Sequence, residues 1–144
     1  MRDQRLNILL VEDNPGDVRL IQEMWKESGA RCDFCSVKDG EEGLEFLRRR
    51  GRYADAPRPA IILLDLNMPK KSGLELLAEI KADENLRRIP VVVLTSSRAQ
   101  HDVERSYDLH ANCYIVKPAD LDQFIQCQKA IQTFWFDHVL LPTS

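Results

Sequence analysis

The chain has no apolar run approaching the ~20 residues that a membrane-spanning helix requires. Its beginning, Met1-Arg2-Asp3-Gln4-Arg5, lacks the design of a secretory signal and leads straight into an apolar run. There is no excess of positive charge: 20 Lys and Arg against 23 Asp and Glu leave a net charge of -3. That removes the usual reason to expect nucleic acid or an anionic membrane as a partner. Cysteine is scarce. Of the four, only Cys32 and Cys35 have C-x-x-C spacing, and no second such pair or C-x-x-H completes a zinc tetrad. Cys32, Cys35, Cys113 and Cys127 therefore read as buried or half-buried thiols in a cytoplasmic protein. Internal repeats and low-complexity segments are also missing. A length of 144 residues, with 44% hydrophobic and 30% charged, suits one compact domain. Its core is expected over about 6–136, with 137–144 a tail that leaves no room for an output domain.

What is present is an alternation of short apolar runs and helical patterns. Strands are expected at about 6–11, 32–37, 60–64, 90–94 and 112–116, the second being less apolar and so an edge. The first helix has Asn14 as N-cap and Pro15 in its first turn, an inward face of Val18, Ile21, Met24 and Trp25, and Gly29 at its end. The second runs from about Glu41 to Arg50, with Gly51 past its end. The third opens on Ser72 and Glu75 at capping-box spacing and turns Leu74, Leu77 and Ile80 inward. A weakly amphipathic helix at about 99–108 offers little beyond Ala99, Val103 and Tyr107. The last runs from about Asp120 to Phe136, with Leu121, Phe124, Ile125 and Ile131 on one face. Five such units with right-handed crossovers predict an α/β fold, a doubly wound parallel sheet of order 2-1-3-4-5.

Four polar signals each follow an apolar run: Glu12-Asp13, Asp65, Thr95-Ser96 and Lys117-Pro118. In a parallel sheet all four emerge at the carboxyl edge, where open α/β sheets bind ligands. Three carboxylates, a hydroxyl and an ammonium then share one cleft. Such a site suits a hard divalent cation and a phosphoryl group, with Asp65 in the middle. Each signal alone has a plainer reading. Glu12-Asp13 and Thr95-Ser96 can cap helices, Asp65 can form a turn, Lys117 can be a loop residue, and Tyr114 an edge-strand aromatic. The plain readings must hold at four strand ends at once, which favours the cleft.

The chain resembles the receiver domain of two-component response regulators, from Ile8 to about Phe134. The acidic pair Glu12-Asp13, the loop Asp65-Leu66-Asn67-Met68-Pro69-Lys70-Lys71-Ser72-Gly73 reading as D-x-x-M-P-x-x-x-G, Thr95, and Lys117-Pro118 with Tyr114 three positions earlier carry the likeness. The resemblance implies a flavodoxin-like receiver fold. It also implies phosphorylation of Asp65 by a phosphohistidine on a sensor kinase, and a cis bond between Lys117 and Pro118. The Asn14-Pro15-Gly16-Asp17 opening and the long basic connection over 48–59 look like stand-alone regulators partnered with phytochrome-type histidine kinases.

Beside the likeness, the crowded carboxylates require a counterion or raised pKa values at neutral pH, and Mg2+ is the expected counterion. Asp13, Asp65 and the Asn67 main-chain carbonyl are expected to ligate it directly, with Glu12 acting largely through water. Lys117 supplies a point charge and Thr95 a hydroxyl donor to the acyl phosphate, and Thr95 with Tyr114 forms the expected switch. No separate substrate turnover is expected. Two rivals are a degenerate receiver that only binds proteins and an aspartyl-nucleophile magnesium phosphatase. The phosphatase needs a general acid two residues past the nucleophile, where this chain has Asn67. Cations at a helix end followed by a solvated loop explain most of the 48–59 connection. Phe134-Trp135-Phe136 and Val139-Leu140-Leu141 mark a C-terminal surface for a homodimer, since three consecutive aromatics cannot all face one core.

Overall fold

In the computed structural model, which describes residues 6–27 and 31–142, the apolar runs become strands β1 (Leu6–Val11), β2 (Cys32–Val37), β3 (Ile61–Leu64), β4 (Val91–Thr95) and β5 (Cys113–Val116). They form one parallel sheet of order β2-β1-β3-β4-β5, with β1 registered against β2 from Leu6–Cys32 to Val11–Val37. Helices α1 (Pro15–Glu27), α2 (Gly40–Leu47), α3 (Gly73–Ala82) and α4 (Gln100–Asp108) make the four crossovers, and α5 (Leu121–Gln132) follows the last strand. This is the doubly wound order that the sequence predicts.

Side chains alternate across a strand, so the sheet divides the interior into two layers. Leu9, Val11, Ile62, Leu64, Val91 and Val93 face α2 and α3, where Phe46, Leu76, Leu77 and Ile80 cover them. Ile8, Leu10, Ile61, Leu63, Val92 and Leu94 face α1 and α5, meeting Ile21, Trp25, Phe124 and Ile131. The central strands β3 and β4 are buried along their whole length, which is why they read as unbroken aliphatic runs. Burying each such side chain contributes roughly 1.5–3 kcal/mol. The C-x-x-C spacing meets the same alternation: Cys32 packs with the α1/α5 layer and Cys35 with the α2/α3 layer. Thiols on opposite faces of a strand cannot chelate one ion, and all four cysteines are half-buried and outside any disulfide.

Helix ends follow the polar signals with one exception. Asn14 Oδ1 accepts from Gly16 N at 2.9 Å and Asp17 N at 3.1 Å, capping α1. Ser72 and Glu75 close the capping box of α3. The end of α1 expected at Gly29 lies outside the described residues. α2 differs: it stops at Leu47, three residues short of the expected Arg50. Arg49 takes a left-handed φ of 55°, and the N–H groups of Arg50 and Arg49 return to the Glu45 and Phe46 carbonyls. This is a Schellman ending with arginine where glycine is the unstrained residue, so the glycine signal at 51 pointed to the wrong place. A 3-10 turn at Gly51–Tyr53 follows.

α4 buries only Ser106; of the three residues expected inward, Ala99 and Tyr107 are exposed and Val103 is half-buried. On α5, Phe124 and Ile131 are buried as expected, but Leu121 is 55% exposed. It sits at the first helical position, before the helix has closed against the sheet. The chain then widens into a π-helical turn, Thr133–His138. There Trp135 is buried and Phe136 packs edge-on against Trp25, while Phe134 is 55% exposed.

Candidate functional site

Two strands deliver the acidic residues to one edge. Glu12 leaves β1 with its N–H on the Val37 carbonyl at 2.9 Å, and Asp65 leaves β3 with its N–H on the Val11 carbonyl at 2.9 Å. Carboxylate oxygens of Glu12, Asp13 and Asp65 lie within 4.8 Å of one another. β4 ends on Thr95, which is fully buried, and Lys117 follows β5 with its N–H on the Thr95 carbonyl at 2.8 Å. The Lys117 ammonium reaches back over the edge. It donates to Glu12 Oε1 at 2.5 Å and to Asp17 Oδ2 at 2.9 Å, and stands 3.7 Å from Asp65 Oδ2.

Electrostatics in this cleft are tense. Burial pushes the Glu12 carboxyl up to about 7; the Lys117 hydrogen bond opposes that rise, and the nearby Asp65 charge adds to it. For Lys117, burial disfavours the cation, but hydrogen bonds to Glu12 and Asp17 outweigh it and hold the ammonium above its ordinary value. The directions conflict, since a firmly charged Lys117 favours a charged Glu12. Above about pH 7 the short contact is an ion pair whose carboxylate is crowded by like charge; below it, the ammonium donates to a neutral Glu12 carboxyl. Three hard oxygen donors at this spacing fit a divalent cation, which supplies the missing positive charge.

The loop after Asp65 is fixed by close packing. A Cβ on Gly73 would sit 2.3 Å from the Asp65 carbonyl oxygen and 2.6 Å from the Leu66 Cα. Only a bare α-carbon lets the start of α3 lie against the Asp65 backbone, and Lys70 turns the loop with a φ of 59°. Asn67, expected as a carbonyl ligand, is exposed and points its N–H at Asp65 Oδ1 at 3.4 Å.

Around Thr95 the contacts lead away from the acids. Its Oγ1 accepts from Ser97 N at 3.4 Å. Ser97 donates to Asp102 at 2.5 Å, and the Tyr114 hydroxyl donates to the Ser97 carbonyl at 3.0 Å. Tyr114 N in turn donates to the Tyr107 hydroxyl at 3.2 Å. The tyrosine is thus turned into the loop between β4 and α4.

The structure gathers Glu12, Asp13, Asp65 and Lys117 as the sequence predicts, with Thr95 and Tyr114 alongside. It corrects one expectation. No described peptide bond is cis, so Lys117–Pro118 is trans. The lysine backbone continues the β5 ladder and its long side chain alone makes the return, so the ordinary preference for trans stands. Sequence reasoning missed Asp17 as a second partner of Lys117. An acid in the first turn of α1, just past Glu12 in the chain, was the available signal.

The chain matches the response regulator receiver domain family over residues 8–129. It belongs to that family. Response regulator Rcp1 of Synechocystis sp. is 47% identical over 137 residues, covering 95% of this chain and 93% of the relative. The crystal structure of the phosphorylated cyanobacterial phytochrome response regulator RcpA superposes with a TM-score of 0.94 at 51% identity, covering 97% of this chain and 100% of that one. The Mn(2+)-bound form of Rcp1 gives 0.92 at 47% identity, covering 96% and 99%. This receiver domain takes part in two-component signalling and carries the acidic pocket in which receivers hold a divalent metal. Among the described residues, no helix is long and apolar enough to cross a membrane.

Proposed function

We propose that this receiver accepts a phosphoryl group on Asp65 from a phosphohistidine of a phytochrome-type sensor kinase in the cytoplasm, with Mg2+ as its cation. The observation that carries the reading is the convergence of Asp65 with Lys117 and the Glu12-Asp13 pair on one sheet edge. An Asp65 carboxylate oxygen attacks phosphorus, the phosphorus–nitrogen bond to the donor imidazole breaks, and an acyl phosphate forms. Glu12, Asp13, Asp65 and the Asn67 carbonyl are the residues to hold the cation, which when bound neutralises phosphoryl oxygens during transfer. Lys117 carries positive charge 3.7 Å from Asp65 and can shift from Glu12 and Asp17 toward the new phosphoryl oxygens. Thr95 offers a hydroxyl to the same group. Its displacement bears on Ser97, and so on the Tyr114 hydroxyl and α4.

The protein turns over no separate substrate on this reading and signals through a surface. We assign that surface to a homodimer through the C-terminal half. Among the described residues, the large hydrophobic side chains that stand exposed are Tyr107, Leu121, Phe134 and Leu140, all in that half.

Incubation with a small phosphodonor and magnesium, followed by intact mass measurement, should add one acid-stable, base-labile phosphoryl group per chain. Asp65→Asn, isosteric and still able to hydrogen-bond, should fold normally and take none. Labelling retained in that variant would refute the site. Continuous release of phosphate from a small ester would instead favour a phosphatase.

A further inference from the structure

The Lys117 ammonium is held in part by an acid that lies outside the three-acid group. Its Nζ donates to Asp17 Oδ2 at 2.9 Å and to Glu12 Oε1 at 2.5 Å. From Asp65 Oδ2 it stands 3.7 Å away, beyond hydrogen-bond reach. The acids that can share a cation are Glu12, Asp13 and Asp65, whereas Asp17 sits in the first turn of α1. The lysine side chain is only 7% exposed and that of Asp17 31%, so the pair is partly shielded from solvent.

A plainer account makes Asp17 an acid favoured by the positive end of α1. That role asks only for charge in the first turn, and a carboxylate turned to water would fill it. Here the carboxylate faces a cation that arrives just past β5, 100 residues along the chain. Asp17 is also fixed in place, since its N–H is held by Asn14 Oδ1 at 3.1 Å. An ammonium has three N–H donors, and Glu12 and Asp17 take two of them. A cation in the cleft competes for Glu12 but leaves Asp17 with Lys117. Phosphoryl oxygens arriving on Asp65 need that same positive charge. A contact that is stronger before transfer than during it slows the step.

We propose that Asp17 is a positioning residue that holds Lys117 back from Asp65 and so slows phosphorylation. The inference rests on Asp65 as the phosphoacceptor and adds a residue that governs its rate.

Labelling with phosphoramidate at saturating magnesium tests it: the phosphorus–nitrogen bond breaks, an Asp65 oxygen–phosphorus bond forms, and ammonia leaves. Asp17→Asn should label at least threefold faster than the unaltered chain while still melting cooperatively. Asp17→Glu, which keeps the charge, should return the rate toward the original. The gain should persist in about 1 M potassium chloride, where open charges are screened beyond about 3 Å. Asp17→Ser serves should Asp17→Asn fold poorly. A neutral variant no faster than the unaltered chain, Asp17→Glu as fast as Asp17→Asn, or a gain lost in salt would overturn the proposal and leave Asp65 as the acceptor. No labelling of the unaltered chain would overturn the phosphorylation reading itself, and this proposal with it.

Discussion

Glu12 has a long carboxylate in a place that barely sees water, and that sets a pH dependence. Its folded-state pKa of about 7 stands above the ordinary 4.5. A raised carboxyl keeps a proton that the unfolded chain has released, so its contribution to stability is lost as pH rises from about 4.5 to about 7. The loss is at most about 3 kcal/mol. Lys117, raised from an already high value, titrates above this window. Urea unfolding in EDTA should show lower stability at about pH 8 than at about pH 5. Glu12→Gln should flatten that slope, and magnesium should recover stability at the higher pH. A slope unchanged in Glu12→Gln would mean that another group sets it. Gly73 makes the second residue-scale case. A methyl group there meets the Asp65 carbonyl at 2.3 Å, so Gly73→Ala should cost about 2 kcal/mol or more. Chemical denaturation would measure the cost, and phosphodonor labelling should fall with it because the loop that aims Asp65 must shift.

Among the elements, the starts of α1 and α3, set by side-chain caps, were legible in the sequence, and the end of α2, closed by backbone alone, was not. Asn14, Ser72 and Glu75 announce α1 and α3 because a polar side chain in the right place satisfies free N–H groups. The end of α2 carries no such mark. It rests on two backbone hydrogen bonds around Arg49, and the neighbouring Gly51 draws the eye two residues too far. Arg49→Gly should therefore stabilise the protein by about 0.5–1 kcal/mol, the relief of the left-handed strain less the extra freedom of the unfolded chain. A lower urea midpoint in that variant would contradict the assignment. Strand ends told the most about the site, since period and order alone carry Glu12, Asp65, Thr95 and Lys117 to one edge. Asp17 escaped notice because its partnership with Lys117 spans 100 residues and depends on how α1 leans over the cleft. Pattern within a window cannot hold that information.

At the scale of the whole molecule, association is the open property. Three aromatics in a row were expected to leave at least one outside, and Phe134 is that one, while Trp135 and Phe136 close the α1/α5 layer. The residues to disturb are accordingly the exposed ones. Phe134→Ser with Leu140→Ser should turn a species of two chains into one on light scattering at micromolar concentration, with little change in melting. A single-chain mass for the unmodified protein, with and without phosphodonor, would defeat the dimer. Changing Trp135 instead would confuse association with unfolding, since it also removes core. The placement of both tryptophans in the α1/α5 layer has an optical consequence. The only two indoles in the chain lie on the same side of the sheet, one fully covered and held by Gln128 at 2.9 Å, the other 8% exposed. Intrinsic fluorescence will therefore register the seating of the C-terminal turn on α1. It will be nearly blind to the acidic cleft, so an emission change on phosphorylation would mean that the signal had reached the α1/α5 layer.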